Sequence, residues 1–444
     1  MRIHLLCDQK WRDLPNLTAI KILLERHGHR VLLSTIKDSE PMIRAFRPDC
    51  VVFNQLFSTA NQSLARNLKA AGVAIVLLPT EGAVHPAVKP LGDGEFADYS
   101  MLDLYLAWGD EPARTVRARW GFDESVAPVA GFSRLDFYDR RYAAAITARE
   151  SFCREHGLDP GRPIVTWATQ YPYAHIHPSS FERGKLSREQ ADFGIQASYE
   201  RIGLDAASMP EIHARAQKLA SASFLTLVSA LPDVQFIIRP HPAERREFYR
   251  ALIIDHGLRN VRFCPQDYIW NVLNASDVHL HRHCTTAVEA WMWDKPTIEM
   301  AIGVVPQLAW PEREAGSDVV SNAEQLIAVV RRYLDGATVS TDRKALRRNY
   351  VHRWLGPADG RHCIVAAEAI GRMLREKGRA RRMFDPLPGV RGTLRETVGA
   401  AMRYALGCRP NDPLLRPRAS VPDDKQITRF DVAAYERLVA QAIV

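Results

Sequence analysis

The chain has no apolar run of the ~20 residues that a bilayer crossing needs, so it predicts no transmembrane helix. The opening stretch, Met1 to Asp8, is too short an apolar run for a secretory leader and reads instead as a first strand. Cysteine is sparse and unpaired in pattern. The seven, at 7, 50, 153, 264, 284, 363 and 408, are odd in number and form no Cys-x-x-Cys. That argues against a disulfide framework or a structural zinc site and for reduced thiols in a cytoplasmic protein. No internal repeat, low-complexity tract or basic stretch interleaved with aromatics recurs. Nucleic acid is therefore not an expected partner.

What is present is a long chain with ample core. Its 444 residues are 46% hydrophobic, enough for two or three domains. The net charge of +8 is modest at this length, because 51 acids are interspersed with the bases. It serves solubility, or affinity for anionic donors, acceptors or headgroups.

Apolar runs and helical patterns alternate along the chain, which predicts α/β domains with parallel sheets. Strand-like runs are 3–7, 30–34, 49–53, 73–78, 103–107 and 126–130. Helical patterns fall at about 15–28, 40–46, 59–71, 110–120 and 139–157. A turn cluster, Asp159-Pro160-Gly161-Arg162-Pro163, ends this series. A second series follows, with strands at 164–168, 234–239, 261–264, 277–281 and 296–300 and a polar insertion at 171–205. The expected domains are 1–158, 159–376 and a basic helical extension, 377–444. In that extension Leu394, Val398, Met402 and Leu406 stand at helical spacing near Arg391, Arg395 and Arg403. Two readings stand: an appended helix packed on the body, or one that seeks a membrane surface or a partner.

Three short words follow buried-strand patterns. They are Thr80-Glu81-Gly82, Arg239-Pro240-His241-Pro242, and Cys284-Thr285-Thr286-Ala287-Val288-Glu289-Ala290. Ligands of open α/β sheets bind outside the carboxyl ends of the strands. Pro240 and Pro242 stiffen a strand exit that presents Arg239, a fork donor for phosphate, and His241, an imidazole able to donate to phosphate or protonate it. Thr285 and Thr286 open a helix, where free N–H groups and hydroxyls suit phosphate, or where a threonine simply caps. Glu289 fits either a ribose contact or a capping box. Glu81 stands where a base for an acceptor hydroxyl is needed, although a lone turn glutamate is usually just solvated. His279, His281 and His283 alternate on one strand face, but neither a fourth ligand nor Asp-x-Asp is nearby, so no metal is expected. His175-Ile176-His177 reads as a loop in the insertion, and Trp291 and Trp293 as core.

As a set, these words resemble the acid-acid-Gly, His-Pro and Ser-Ser/Thr motifs of bacterial sialyltransferases and CMP-Kdo-using capsule transferases. Leu106-Ala107-Trp108-Gly109, Gly131-Phe132-Ser133-Arg134-Leu135-Asp136 and Glu289-Ala290 followed by Asp294-Lys295-Pro296 are similar to bacterial surface carbohydrate biosynthesis proteins. The resemblance covers about residues 50–300. It implies two doubly wound domains facing a cleft, of GT-B type. It also implies a CMP-activated 2-keto sugar acid as donor substrate, a glycan or glycolipid acceptor and no bound cofactor. Glu81 would be the base. Arg239, His241, Pro242, Thr285, Thr286 and Glu289 would form the donor site, with His241 also catalytic. Thr80 replaces the first acid of its motif, and strand 164–168 carries no nucleophile. Inversion is therefore the simpler expectation, with Asp136 the remaining carboxylate to weigh for retention. The rivals are a CDP-glycerol-type polyol-phosphate transferase and a non-catalytic scaffold of the capsule machinery. The protein is expected in the cytoplasm, with the extension as a route to the inner face of the membrane.

Overall fold

A computed structural model describes residues 1–56, 58–81, 83, 98–176, 195–378, 390, 393–406, 425–440 and 442. The chain divides into two compact units. The first is Met1–Ala145 with His352–Val444, and the second is Ile146–Val351.

Unit 1 holds five parallel strands: β1 (Arg2–Cys7), β2 (Arg30–Thr35), β3 (Cys50–Phe53), β4 (Ala74–Leu77) and β5 (Leu104–Tyr105), in the order β2-β1-β3-β4-β5. β1, β3 and β4 are buried along their whole length, which explains their unbroken apolar runs. The expected strand at 126–130 is reduced to one bridge, Ala107 to Val129. Leu6, Val51, Phe53, Ile75 and Leu77 lead the core.

Unit 2 holds β6 (Ile164–Ala168), β7 (Gln235–Arg239), β8 (Val261–Phe263), β9 (Val278–His281), β10 (Thr297–Met300) and β11 (Asp318–Val320), all parallel, in the order β11-β10-β9-β6-β7-β8. Trp167 stacks on Phe224 at the centre of its core. β11 escaped the sequence reading because Asp318-Val319-Val320 is short, with Val319 exposed.

The division does not fall at 158 and 376, and tertiary contacts explain the shift. The helix expected over 139–157 is broken into 3₁₀ turns, Arg140–Ala145, and a helix, Arg149–His156. Between them the Thr147 N–H donates to Asn271 Oδ1 (2.9 Å) and its carbonyl accepts from Asn274 (3.0 Å). Arg149 then reaches Asp277 (3.0 Å) and the carbonyls of Ala275 (2.6 Å) and Arg162 (2.9 Å). All of this belongs to unit 2.

The other end returns to unit 1. Asp136 is fully buried and accepts from the His362 and Cys363 N–H groups (3.0 and 2.7 Å), at the start of the helix His362–Lys377. A Cβ on Gly131, whose φ is +82°, would sit 1.9 Å from the His362 ring, and one on Gly109 would sit 2.5 Å from the Trp354 backbone. The two glycine-bearing words of the sequence are thus the seat of the returning chain. The extension packs on unit 1 as well, through Lys21–Glu436 (2.5 Å), Arg403–Asp38 (2.9 Å) and Lys10–Asp431.

Candidate functional site

In an open sheet the ligand crevice lies where the strand order reverses, outside the carboxyl ends. In unit 2 that place is between β6 and β9, because the chain runs outward from β6 through β7 and β8, then returns to β9 on its other side. Residues after β6, β7 and β9 therefore form the candidate donor side.

After β7, the His241 N–H donates to Glu244 Oε2 (2.8 Å), and His241 Nδ1 accepts from the Ala243 N–H (3.2 Å). With Nδ1 an acceptor, the proton of the neutral ring sits on Nε2. Glu244 was not singled out by the sequence reading, although it stands three residues past His241. It is buried and also accepts from the Tyr171 N–H (2.6 Å), the Tyr249 hydroxyl (3.0 Å) and the Thr169 hydroxyl. It ties the exits of β6 and β7 together. Burial pushes its pKa up, against the pull of those hydrogen bonds.

Several expected donor contacts are otherwise engaged. The Arg239 guanidinium donates to the carbonyls of Cys264 (3.3 Å) and Asp267. Pro242 is exposed. Thr286 Oγ1 pairs with His279 Nε2 (2.9 Å). Thr285 is the N-cap of the short helix Thr286–Trp291, but its side chain makes no capping bond, so no capping box forms there. Glu289 is fully buried. Trp291 is core, its indole N–H donating to Thr297 Oγ1 (2.9 Å).

Two of the alternating histidines, His279 and His281, have rings tied to protein partners. His279 and His281 stack at 5.9 Å on the same strand face. His281 lies 3.0 Å from Ser317 Oγ through Nε2 and 3.0 Å from Glu299 through Nδ1. Burial would raise the Glu299 pKa, but His281 and its neighbours outweigh it and hold the carboxyl down at about 2. Both Glu299 oxygens also accept from the His283 N–H (3.0 Å each), fixing a backbone at φ +42°.

Beside them sits a group the sequence reading passed over. Arg282 is 2% exposed, and its guanidinium lies over the Tyr171 ring at 5.4 Å. Burial, Arg282 and His283 push His213 down to about 3.

In unit 1 the reversal lies between β1 and β3. Glu81 follows β4, half exposed at its side chain, with Arg12 at 3.9 Å. Gly82 lies outside the described residues, as do His177, Arg391 and Cys408. Arg12 also pairs with Asp13 (2.8 Å) and Asp8 (3.1 Å). Burial alone would raise Asp8, but Arg12 and Lys425 (2.6 Å) outweigh it and hold it low. A small pocket here is lined by Arg12, Asp13, Asn54, Thr80, Ser133 and Arg134. Asp136, the carboxylate weighed for retention, is not available in this role: it is fully buried under His362 and Cys363.

Among the described residues, His156, Cys264 and Asp267 are the group spaced to share a cation, their ligand atoms all within 4.8 Å. Burial raises the Cys264 thiol to about 11, and the Arg239 cation is bonded to the adjoining carbonyls. A protonated thiol beside a fixed positive charge is a poor ligand set.

Comparison with known proteins adds the fold. No protein-family model matches the chain, and no curated protein does. Solved structures match over most of it. The UDP-GlcNAc 2-epimerase of Neisseria meningitidis bound to UDP-GlcNAc is 12% identical, with TM-score 0.53 over 84% of this chain and 100% of that one. The Methanocaldococcus jannaschii UDP-GlcNAc 2-epimerase, in complex with UDP-GlcNAc and UDP, is 13% identical, with TM-score 0.51 over 85% and 100%. The wall teichoic acid polymerase TagF soaked with CDPG is 9% identical, with TM-score 0.52 over 85% and 89%. The fold is GT-B. At such identities the likeness speaks to architecture alone.

Proposed function

We propose that the chain is a glycosyltransferase of bacterial surface polysaccharide synthesis, capsule or lipopolysaccharide, that takes a CMP-activated 2-keto sugar acid as donor. The observation that carries this reading is His241, a strand-exit imidazole whose Nε2 proton is set by its Nδ1 bond, in the nucleotide-side unit of a GT-B fold. In this scheme Nε2–H donates to the phosphate of the leaving CMP, with Thr285 as a second donor. Glu244 holds the His241 backbone, and Arg239, Pro242 and Thr286 shape the loops. Glu81 takes the proton of the acceptor hydroxyl, and Arg12 orients its carboxylate. The product is inverted at the anomeric carbon. The scheme calls on no metal: the His241 and Thr285 donors hydrogen-bond the leaving phosphate.

A second reading is a CDP-glycerol-type transferase, an activity compatible with a fold shared with TagF soaked with CDPG. Both readings use a cytidine nucleotide, whereas an epimerase-like enzyme would take UDP-GlcNAc. A thermal-shift screen separates the cytidine readings from the epimerase-like one: CMP should stabilise the protein by about 2.7 kcal/mol at 100 times its Kd, and UMP or UDP at the same concentration by less. Turnover of CMP-sugar against CDP-glycerol then separates the two cytidine readings. A uridine nucleotide winning that screen would end the CMP reading. Glu81→Gln should lower kcat ~10²–10⁴-fold with nucleotide affinity unchanged. Nucleotide binding with no turnover of any donor would favour the scaffold.

No helix among the described residues is long and apolar enough to cross a membrane. The extension supports peripheral attachment instead. Leu394, Val398, Met402 and Leu406 are 76, 49, 42 and 57% exposed along one stripe of the helix Leu394–Leu406.

A further inference from the structure

The strand reversal of unit 2 is lined by groups whose polar atoms lack a hydrogen-bond partner among the described residues, although His283 Nε2 faces Glu299 Oε1 at 4.0 Å. Arg282 Nη1, the Tyr171 hydroxyl, His213 Nδ1 and His283 Nε2 are each buried, and none has a hydrogen-bond partner among the described residues. Four such atoms in one neighbourhood are unusual, since buried polar groups are nearly always bonded. The arginine matters most. A buried guanidinium without an anion is costly, because its desolvation is not repaid by any opposite charge.

The surroundings hold this arrangement in place. Tyr171 follows β6 and Arg282 follows β9, the two strands that flank the reversal. With its amide turned so that nitrogen rather than oxygen faces the two carbonyls, Gln170 donates to those of Arg282 (3.3 Å) and His283 (3.2 Å), which links the two exits. The Tyr171 ring supports the guanidinium plane, and the His213 ring is braced edge-on by Tyr173 at 5.0 Å. The nearby carboxylate, Glu299, does not pair with Arg282. Its two oxygens hold the His283 N–H and face His281.

We propose that Arg282, with the Tyr171 hydroxyl and the imidazoles of His213 and His283, is the anion seat of unit 2 and binds a phosphate group of the donor nucleotide. The planar fork of arginine matches phosphate oxygens, and the Tyr171 hydroxyl and the two imidazoles add groups able to donate a hydrogen bond in the appropriate tautomer. Naming the ligand a donor nucleotide rests on the functional reading above. The existence of an oxyanion seat does not. This assignment moves the main phosphate contact from Arg239, which is bonded to its own loop, to the strand next to the reversal.

The test uses the full-length protein and two probes, inorganic pyrophosphate and CMP, in thermal-shift and calorimetric titrations. Arg282→Gln should weaken both probes about 10–100-fold, the range of a lost charge-assisted pair. Without a probe, the variant should melt at or above the wild-type temperature, because an uncompensated buried charge is gone. Tyr171→Phe should give a smaller loss in affinity with the same sign. A lower melting temperature with unchanged affinities would make Arg282 structural and overturn the proposal. So would wild-type protein that binds neither probe at millimolar concentration. If pyrophosphate binds through Arg282 while no nucleotide adds affinity, the seat stands and the donor reading falls. If CMP binds wild type and Arg282→Gln equally, the donor reading stands and the seat falls.

Discussion

Each unit places an arginine where its strand order reverses, and the two are held in opposite ways. Arg12 in unit 1 is surrounded by carboxylates: Asp13, Asp8 and, more loosely, Glu81. These outweigh burial and push its pKa further up. Arg282 in unit 2 is more deeply buried and contacts an aromatic face instead of an acid. The two stand on opposite sides of their reversals, Arg12 after the first strand of its unit and Arg282 after the strand to which the chain returns. A satisfied arginine fixes the acids around it, which suits a unit that orients a base. One with no acid partner among the described residues suits the proposed anion seat.

The comparison is broken most decisively by removing the satisfied arginine. Arg12→Met leaves Asp8 and Asp13 buried without their main counter-charge. Breaking such a pair costs about 3–5 kcal/mol. Lys425 still reaches Asp8, so the low end is expected. Hydrogen exchange at β1 and β3 should report the loss in unit 1 and leave β6 and β9 protected. If Arg12→Met is as benign as Arg282→Gln, the contrast between the two reversals fails.

Acid sharpens the same contrast with a smaller effect. In unit 2 burial is the leading cause that lowers His175, His213, His279 and His283, His283 to about 4. A histidine held neutral in the fold binds its proton only in the unfolded chain below pH ~6.5, so stability falls as pH falls from there toward the folded value. Unit 1 has His4 and His29 lowered in this way, His4 to about 3, but His362 is raised: Asp136 outweighs burial. Its contribution is fully present below pH ~6.5 and fades as pH rises through the raised value. From pH 7 to 5, hydrogen exchange should therefore show unit 2 losing more protection than unit 1. Equal losses would contradict the assignment of neutral histidines to unit 2.

The periodic parts of the fold were legible in the sequence because buried parallel strands are unbroken apolar runs. Ile164–Ala168 and Asp110–Trp120 fall where the patterns put them. What the pattern could not show was long-range pairing. Thr147 breaks a helix because Asn271 and Asn274, more than a hundred residues away, take its backbone. Asp136 looked like a spare carboxylate and is the anchor of a helix that starts at His362. The candidate site was partly legible for a related reason. His241 could be proposed from its flanking prolines, and Glu81 from its strand. Arg282 could not, since a lone arginine between histidines carries no signal until strand order puts it beside Tyr171.

The smallest expected effect concerns the extension. Its exposed stripe adds little to the fold, because Ala400 is the buried side chain of that helix. Val398→Ser with Met402→Ser should change stability by less than about 0.5 kcal/mol per site, as exposed substitutions usually do. If the stripe enters a membrane surface, the same pair should sharply reduce sedimentation with anionic vesicles. Nucleotide binding in unit 2 should be untouched, and the wild-type interaction should weaken with added salt through screening of Arg395. Vesicle binding that survives the double substitution would shift attachment away from this helix. A large loss of stability would show the stripe to be packed rather than presented, and would leave the +8 net charge as the remaining source of affinity for an anionic surface.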